Sequence, residues 1–446
     1  MRSSDAASLW QRTEAAGLAG RVLADAGGEL ALSALAGSSA LRRRSELRAA
    51  SVLVRSSTQR AASVALLELD GWARRVVVSP PDLADEHLPY VRRVAEVDAI
   101  VSDDGEFALG EPAEGCDRSG PAVATEWVLF TSGTTGRPKP VVHTLASLTG
   151  AIGPGATPGS VWSTFYDVRR YGGLQILLRA LLGGGSMLLS SPGEPIAAFL
   201  DRARSAGVSF LSGTPSHWRR ALLSPQAAGL ALADVRLSGE TADQAILDRL
   251  ARAFPGARLA HAFASTEAGV AFAVTDGKEG FPASWIGTVR DGVELREERG
   301  TLRIRSARTA LRYLGDGAGP VADASGFVDT HDQLQFAGDR CRFMGRADGV
   351  INVGGLKVHS EEVEAVINGH PAVHSCLVKP QCSAMLGALV VAEVVLTDVA
   401  AASPALEAEI ITACRHALAE HKVPAVIQFV PSLTMSLAGK LVRTGA

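Results

Sequence analysis

Apolar residues in this chain come as short runs set between amphipathic stretches. Arg74–Val78 ends in three consecutive valines, and Ala99–Ser102 is a second short run; both predict strands. Val128, Leu129 and Phe130 predict the buried end of another, and Asp234–Leu237 a further one. Trp10–Ala24 predicts a helix, while Ser51–Leu69 mixes helix-like and strand-like positions. Asp82–Val97 predicts a helix opened by Pro80, Pro81 and Asp82, with Pro89 as a kink or break. Leu174–Leu182 predicts an apolar helix closed by Gly183, Gly184 and Gly185, and Ser186–Leu189 the strand after it. Asp103–Gly120 is rich in glycine, proline and acids and predicts a loop. Strands and helices alternate, so the fold class is α/β, with mostly parallel, layered sheets in a large N-terminal domain. The last hundred residues predict a small α+β domain. Its strands are Ser375–Val378, Val390–Val395 and Ile427–Val430, and its helix is Leu406–Ala419.

The densest polar chemistry follows the strand end at Phe130. Thr131, Ser132, Gly133, Thr134, Thr135, Gly136, Arg137, Pro138 and Lys139 place four hydroxyls, two glycines and two cations in nine residues. A chain leaving a strand into such a loop can turn backbone N–H groups and hydroxyls toward one anion. Pro138 and Pro140 stop the segment from continuing as a helix. The Walker pattern is absent, since no Gly-Lys-Ser/Thr follows at its spacing.

The stretch TSGTTGRPKP resembles the phosphate loop of the acyl-adenylate-forming superfamily, which holds acyl-CoA synthetases, peptide-synthetase adenylation domains and firefly-type luciferases. The resemblance extends over roughly Thr125 to Thr444. AHAFASTEAG (260–269) resembles the motif Tyr-Gly-x-Thr-Glu, with Phe263 and Ala264 in the Tyr and Gly places and Thr266 and Glu267 matching. It implies that Thr266 bonds the α-phosphate and that Glu267 holds Mg²⁺. SFLSGTPSHW (209–218) resembles the strand and proline turn beside the acyl pocket, with Gly213 in it. LSGET (237–241) resembles the turn whose backbone lies beside adenine, here Gly239 and Glu240; Glu240 also suits a helix start.

Thr330-His331-Asp332 stands where the family has Thr-Gly-Asp. The resemblance implies that Asp332 takes the ribose hydroxyls, with Asp339 of Gly-Asp-Arg as the competing position and Arg346 as the second ribose contact. Asp348, beside Gly349, matches the family's hinge, so the implied domains are 1–347 and 348–446, the second mobile. Lys357 is implied near the site in the thioester-forming state, and Lys440 in SLAGKLVRT matches the catalytic lysine.

Departures concern the acid. Arg170, followed by Tyr171, Gly172 and Gly173, occupies the place of a histidine near the acyl group. An arginine there either grips a polar group of the substrate with paired hydrogen bonds or pairs with an acid elsewhere. Asp167 is out of register for holding an amino-acid ammonium. Gly172, Gly173 and Gly269 suggest room in the pocket.

Composition adds bounds. With 446 residues, 47% hydrophobic and 20% charged, the chain suits a soluble protein of two or three domains. A net charge of −3 gives no reason to expect nucleic acid. No signal peptide or membrane span is read. Five cysteines without a CxxC pair suggest free thiols and a cytoplasmic location. The implied activity is ATP- and Mg²⁺-dependent conversion of a carboxylic acid to acyl-AMP, then transfer to the thiol of coenzyme A. A carrier protein or another nucleophile, or a non-catalytic nucleotide-binding relative, are the alternatives.

Overall fold

The structure is a computed structural model that describes residues 7–114, 122–131, 137–153, 155, 157–191, 193–315, 318–346, 349–383, 387–436 and 440–442. Two eight-stranded sheets dominate it. In one, Glu126–Thr131, Arg75–Val78, Ser51–Val54, Ala99–Ser102 and Phe107–Glu114 run parallel. Lys139–Thr144, Arg312–Tyr313 and Ser38–Leu41 extend it antiparallel. In the other, Arg258–Ser265, Asp234–Ser238, Phe210–Gly213, Val161–Thr164, Ser186–Leu188 and Val22–Asp25 are parallel.

The apolar runs are explained by burial on both faces. Val52, Val54, Val76, Val78, Trp127 and Leu129 point into a core shared with the second sheet, filled by helices Gln59–Leu69 and Tyr171–Leu182. The alternate residues Leu53, Val77, Val128 and Phe130 face a second core under helix Leu88–Val94. A parallel strand covered on both sides reads as an unbroken hydrophobic run because neither face meets water. The far side of the second sheet is covered by helices Ile196–Ser205, Pro215–Leu222 and Gln244–Ala253. The α/β class and the mostly parallel layers are as expected.

Three local expectations change. The first helix is Leu9–Ala15 only; Gly17 and Gly20 take φ of 87° and 70°, and the chain turns into strand Val22–Asp25. The helix expected over Asp82–Val97 is a 3-10 turn, Asp85–His87, followed by α-helix Leu88–Val94; the break falls beside Pro89, which sits in the first turn of the α-helix, where its missing N–H costs nothing. Within the expected loop at 103–120, Phe107–Glu114 is a strand between Ala99–Ser102 and Ser38–Leu41.

A six-stranded antiparallel sheet follows, including Val328–Ala337 paired with Arg340–Arg346. The C-terminal part contains hairpin Ile351–Val358, helices Ser360–Asn368 and Pro404–Ala417, and strands Val373–Ser383, Gly387–Leu396 and Val426–Phe429. It has its own core from Ile351 to Ile427. It docks on the large part through polar contacts. Arg249 donates to the carbonyl of His374 at 2.8 Å, and the Asn368 amide donates to Asp243 at 3.1 Å. Asp243 also pairs with Arg219 at 2.5 Å. Cys341 and Cys414 are buried free thiols; Cys116 lies outside the described residues. Among the described residues, no helix is long and apolar enough to cross a membrane.

Candidate active site

Parallel strands end on the same edge of a sheet, so the loops that leave them converge. Here they line one cleft of about 2350 Å³. Tyr166 and Asp167 follow Val161–Thr164, and Pro215 and Ser216 follow Phe210–Gly213. Gly239 and Glu240 follow Asp234–Ser238, and Thr266 and Glu267 follow Arg258–Ser265. Thr131 closes its strand opposite Lys139, and both line the same cleft. Ser132, Gly133, Thr134, Thr135 and Gly136 lie outside the described residues, as does Asp348.

Thr266 and Glu267 occupy the turn between two antiparallel strands, not a helix start. Two side chains hold that turn, one half-buried and one fully buried. The Tyr313 hydroxyl hydrogen-bonds Glu267, and burial together with that carboxylate pushes the phenol up to about 12. His143 lies in strand Lys139–Thr144 with no exposed surface. Its Nε2 is 2.7 Å from the Thr266 carbonyl and its Nδ1 2.9 Å from the Ser147 hydroxyl. A carbonyl only accepts, so Nε2 carries the proton. Burial pushes this imidazole down to about 4 and keeps it neutral. Neither residue stands out by the motifs; the one signal is a histidine inside the apolar run of its strand. A bulge between Phe263 and Ala264 turns both toward the cleft, where Phe263 stacks on Phe343 at 5.1 Å.

Asp332 and Arg346 face each other across the antiparallel sheet and line the cleft. Burial lifts the Asp332 carboxyl to about 6, against the pull of Arg346 and Lys440. Asp339 sits in the turn between the two strands, away from the cleft lining, whereas Asp332 lines the cleft. His331 takes φ of 58°, a left-handed conformation. That accounts for a glycine in the family form, and histidine is among the residues that enter this region more readily.

Lys440 enters the cleft from the C-terminal part, its stem beside Gly239. Gly239 needs its φ of 84°, and a Cβ there would lie 3.7 Å from Lys440 Cε. Both oxygens of Glu240 are engaged by backbone N–H groups, from Ser216 at 3.0 Å and Leu441 at 3.1 Å. Lys357 is exposed on hairpin Ile351–Val358 and does not line the cleft in this arrangement.

On the acyl side the structure separates residues that face the cleft from those held elsewhere. Arg170 lines the cleft but is paired with Asp82, 88 positions earlier, and its Nε is buried without a partner. Asp167 is held by Arg169 at 2.6 Å. Tyr171 lines the cleft with little exposed surface, 5.7 Å from the His143 ring. Gly213 does not line the cleft; a Cβ there would fall 2.6 Å from the Phe165 ring. Gly173 and Gly269 make room for backbone and not for substrate. Added Cβ atoms would lie 2.2 Å from the Asp167 carbonyl and 2.5 Å from the Arg308 carbonyl. Gly172 lies against the Tyr166 ring.

A strand-to-loop cleft with this set of hydroxyls, cations and carboxylates matches known sequences over most of the chain. Residues 37–304 match the AMP-binding enzyme family, and residues 362–440 match the AMP-binding enzyme C-terminal domain. The chain belongs to the AMP-binding enzyme family. It is 28% identical over 292 residues to the 2-succinylbenzoate–CoA ligase of Salmonella typhimurium, covering 62% of this chain and 61% of that enzyme. It is 31% identical over 296 residues to a probable 2-succinylbenzoate–CoA ligase of Mycobacterium tuberculosis, covering 63% of this chain and 73% of that one. Its fold is shared with the anthranilate CoA ligase AuaEII in complex with anthranoyl-AMP, at 18% identity and a TM-score of 0.77, over 99% of this chain and 97% of that one.

Proposed function

We propose that this AMP-binding enzyme is an acyl-CoA ligase: it converts a carboxylic acid and ATP to acyl-AMP and pyrophosphate, then transfers the acyl group to the thiol of coenzyme A, with AMP as the leaving group. The observation that carries this reading is the meeting of Thr131, Lys139, Glu267, Asp332, Arg346 and Lys440 in one cleft at the strand ends. The activities of the similar ligases, both 2-succinylbenzoate–CoA ligases by name, point the same way.

Residue roles follow from donor chemistry. Thr131, Lys139 and the loop after Thr131 hold the phosphates, and Thr266 bonds the α-phosphate. Asp332, an acceptor, and Arg346 take the ribose hydroxyls. Lys440 places an ammonium where charge gathers on the phosphoryl oxygens as the acid attacks, and positioning supplies most of the acceleration. Glu267 suits Mg²⁺. Among the described residues, no group of three or more His, Cys, Asp or Glu could hold a metal, and Mg²⁺ needs only a carboxylate or two when phosphates and waters complete its shell. Bound there, the ion neutralises phosphate charge; Tyr313 keeps the Glu267 carboxylate turned into the cleft.

The acid is aromatic in this reading, supported by the relatives' benzoate-type acids and by Tyr166 and Phe263 in the lining. Residues 348–446 form the mobile domain, hinged at Asp348 and supported by the separate core of Ile351 to Ile427. Its rotation withdraws Lys440 and brings Lys357 near for the second step.

The test is acid-dependent pyrophosphate release across aryl, fatty, dicarboxylic and amino acids, with and without coenzyme A. An aryl acid whose turnover rises with coenzyme A is the expected result. Release indifferent to coenzyme A would point to a carrier protein or another nucleophile. Lys440→Ala is expected to abolish release while ATP binding persists; unchanged release would refute the mechanism.

A further inference from the structure

Residues 434–436 and 440–442, on either side of Lys440's approach to the cleft, pair antiparallel like a hairpin's two arms. Ser436 N donates to the Lys440 carbonyl at 2.8 Å, and Val442 N donates to the Thr434 carbonyl at 3.0 Å. Met435 and Leu441 face each other between these bonds. In that antiparallel pattern the N–H of Leu441 points away from its own hairpin. It donates to Glu240 Oε1 at 3.1 Å, across 201 positions of sequence.

Glu240 is itself held firmly. Its Oε2 accepts from Ser216 N at 3.0 Å, in the first turn of helix Pro215–Leu222. Pro215 has no N–H to offer, and Thr214 already accepts from His217 N, so the carboxylate satisfies the remaining donor of that turn. The positive end of the helix attracts this negative side chain. The turn that presents it, with Gly239 at φ 84°, is the surface against which the Lys440 stem lies.

We propose that Glu240 is a positioning residue for adenylation: its carboxylate latches the peptide after Lys440 and so fixes where the ammonium stands. The latch rests on the ligase reading above, in which Lys440 serves the first step and withdraws for the second. It belongs to the adenylating arrangement alone, because rotation of the C-terminal part takes the Leu441 N–H away from Glu240.

Two variants address the bond from opposite ends. Glu240→Ala removes the acceptor. Leu441→Pro removes the donor without touching the helix end, and the hairpin's own bonds do not use that N–H. Each is expected to lower acid-dependent ATP–pyrophosphate exchange about tenfold to a hundredfold. Thioester formation from supplied acyl-adenylate should fall by less. The double variant should be no worse than the poorer single one, because both delete the same contact. Glu240→Gln keeps an oxygen acceptor without the charge and should recover part of the exchange. Exchange at the wild-type rate in either single variant, additive losses in the double, or equal losses in both half-reactions would overturn the latch. Lys440→Ala, run alongside, separates the two claims: if it exchanges normally, the ligase mechanism fails first.

Discussion

Asp332 offers a test in which stability and function move in opposite directions. Its carboxyl titrates near 6 against an ordinary 3.8, because burial outweighs Arg346 and Lys440. A folded-state value raised above the unfolded one means that the folded protein binds this proton more tightly. The resulting stabilisation is full below about pH 3.8 and lost as the pH rises through about 6. At neutral pH the unliganded protein therefore carries a buried carboxylate at a cost of roughly 3 kcal/mol. Asp332→Asn keeps the shape and removes the charge. It is expected to stabilise the unliganded protein by about 1–3 kcal/mol near pH 7.5. Lowering the pH from about 7.5 to 5 should give the wild type roughly 1.4 kcal/mol from this group and the variant nothing, so the gap narrows. AMP should raise the wild-type unfolding temperature and leave the variant's nearly unmoved, because an amide offers one acceptor oxygen where the carboxylate offered two. Thermal unfolding at the two pH values, with and without AMP, reads all three effects. A variant less stable than wild type by the same margin at both pH values would refute the reasoning: the carboxylate would then be held by its cations more strongly than burial disfavours it.

Two further outcomes test the frame around the cleft. Gly173→Ala places a methyl 2.2 Å from the Asp167 carbonyl oxygen and should cost about 2 kcal/mol or more, read as a lower unfolding temperature; an unchanged temperature would show that this loop yields freely. His143→Ala leaves the Thr266 carbonyl without its donor and should cost about 1–3 kcal/mol while slowing adenylation; wild-type unfolding and exchange together would refute the tie to the Thr266–Glu267 turn.

What could be read in the sequence was what strand burial and phosphate chemistry impose locally. Runs such as Val76–Val78 must be apolar because both faces are covered, and the site residues follow strand ends because that is where the parallel topology delivers them. What could not be read depends on distant partners or on the purpose of a small residue. Arg170 meets Asp82 through 88 intervening positions, and nothing near either residue announces the pair. Glycine looks the same whether it clears space for a ligand or for a carbonyl, so Gly173 and Gly269 suggested a roomy pocket and instead admit backbone. His331 shows the reverse: its φ of 58° explains why glycine suits that place, a reason invisible until the dihedral is known. The supports of the Thr266–Glu267 turn, Tyr313 and His143, act through single hydrogen bonds from other strands, and Glu240 reaches Lys440's neighbour across the cleft. A linear motif names the groups proposed to touch the nucleotide. The groups that hold those groups still are chosen by the fold, so they share no local pattern in the sequence.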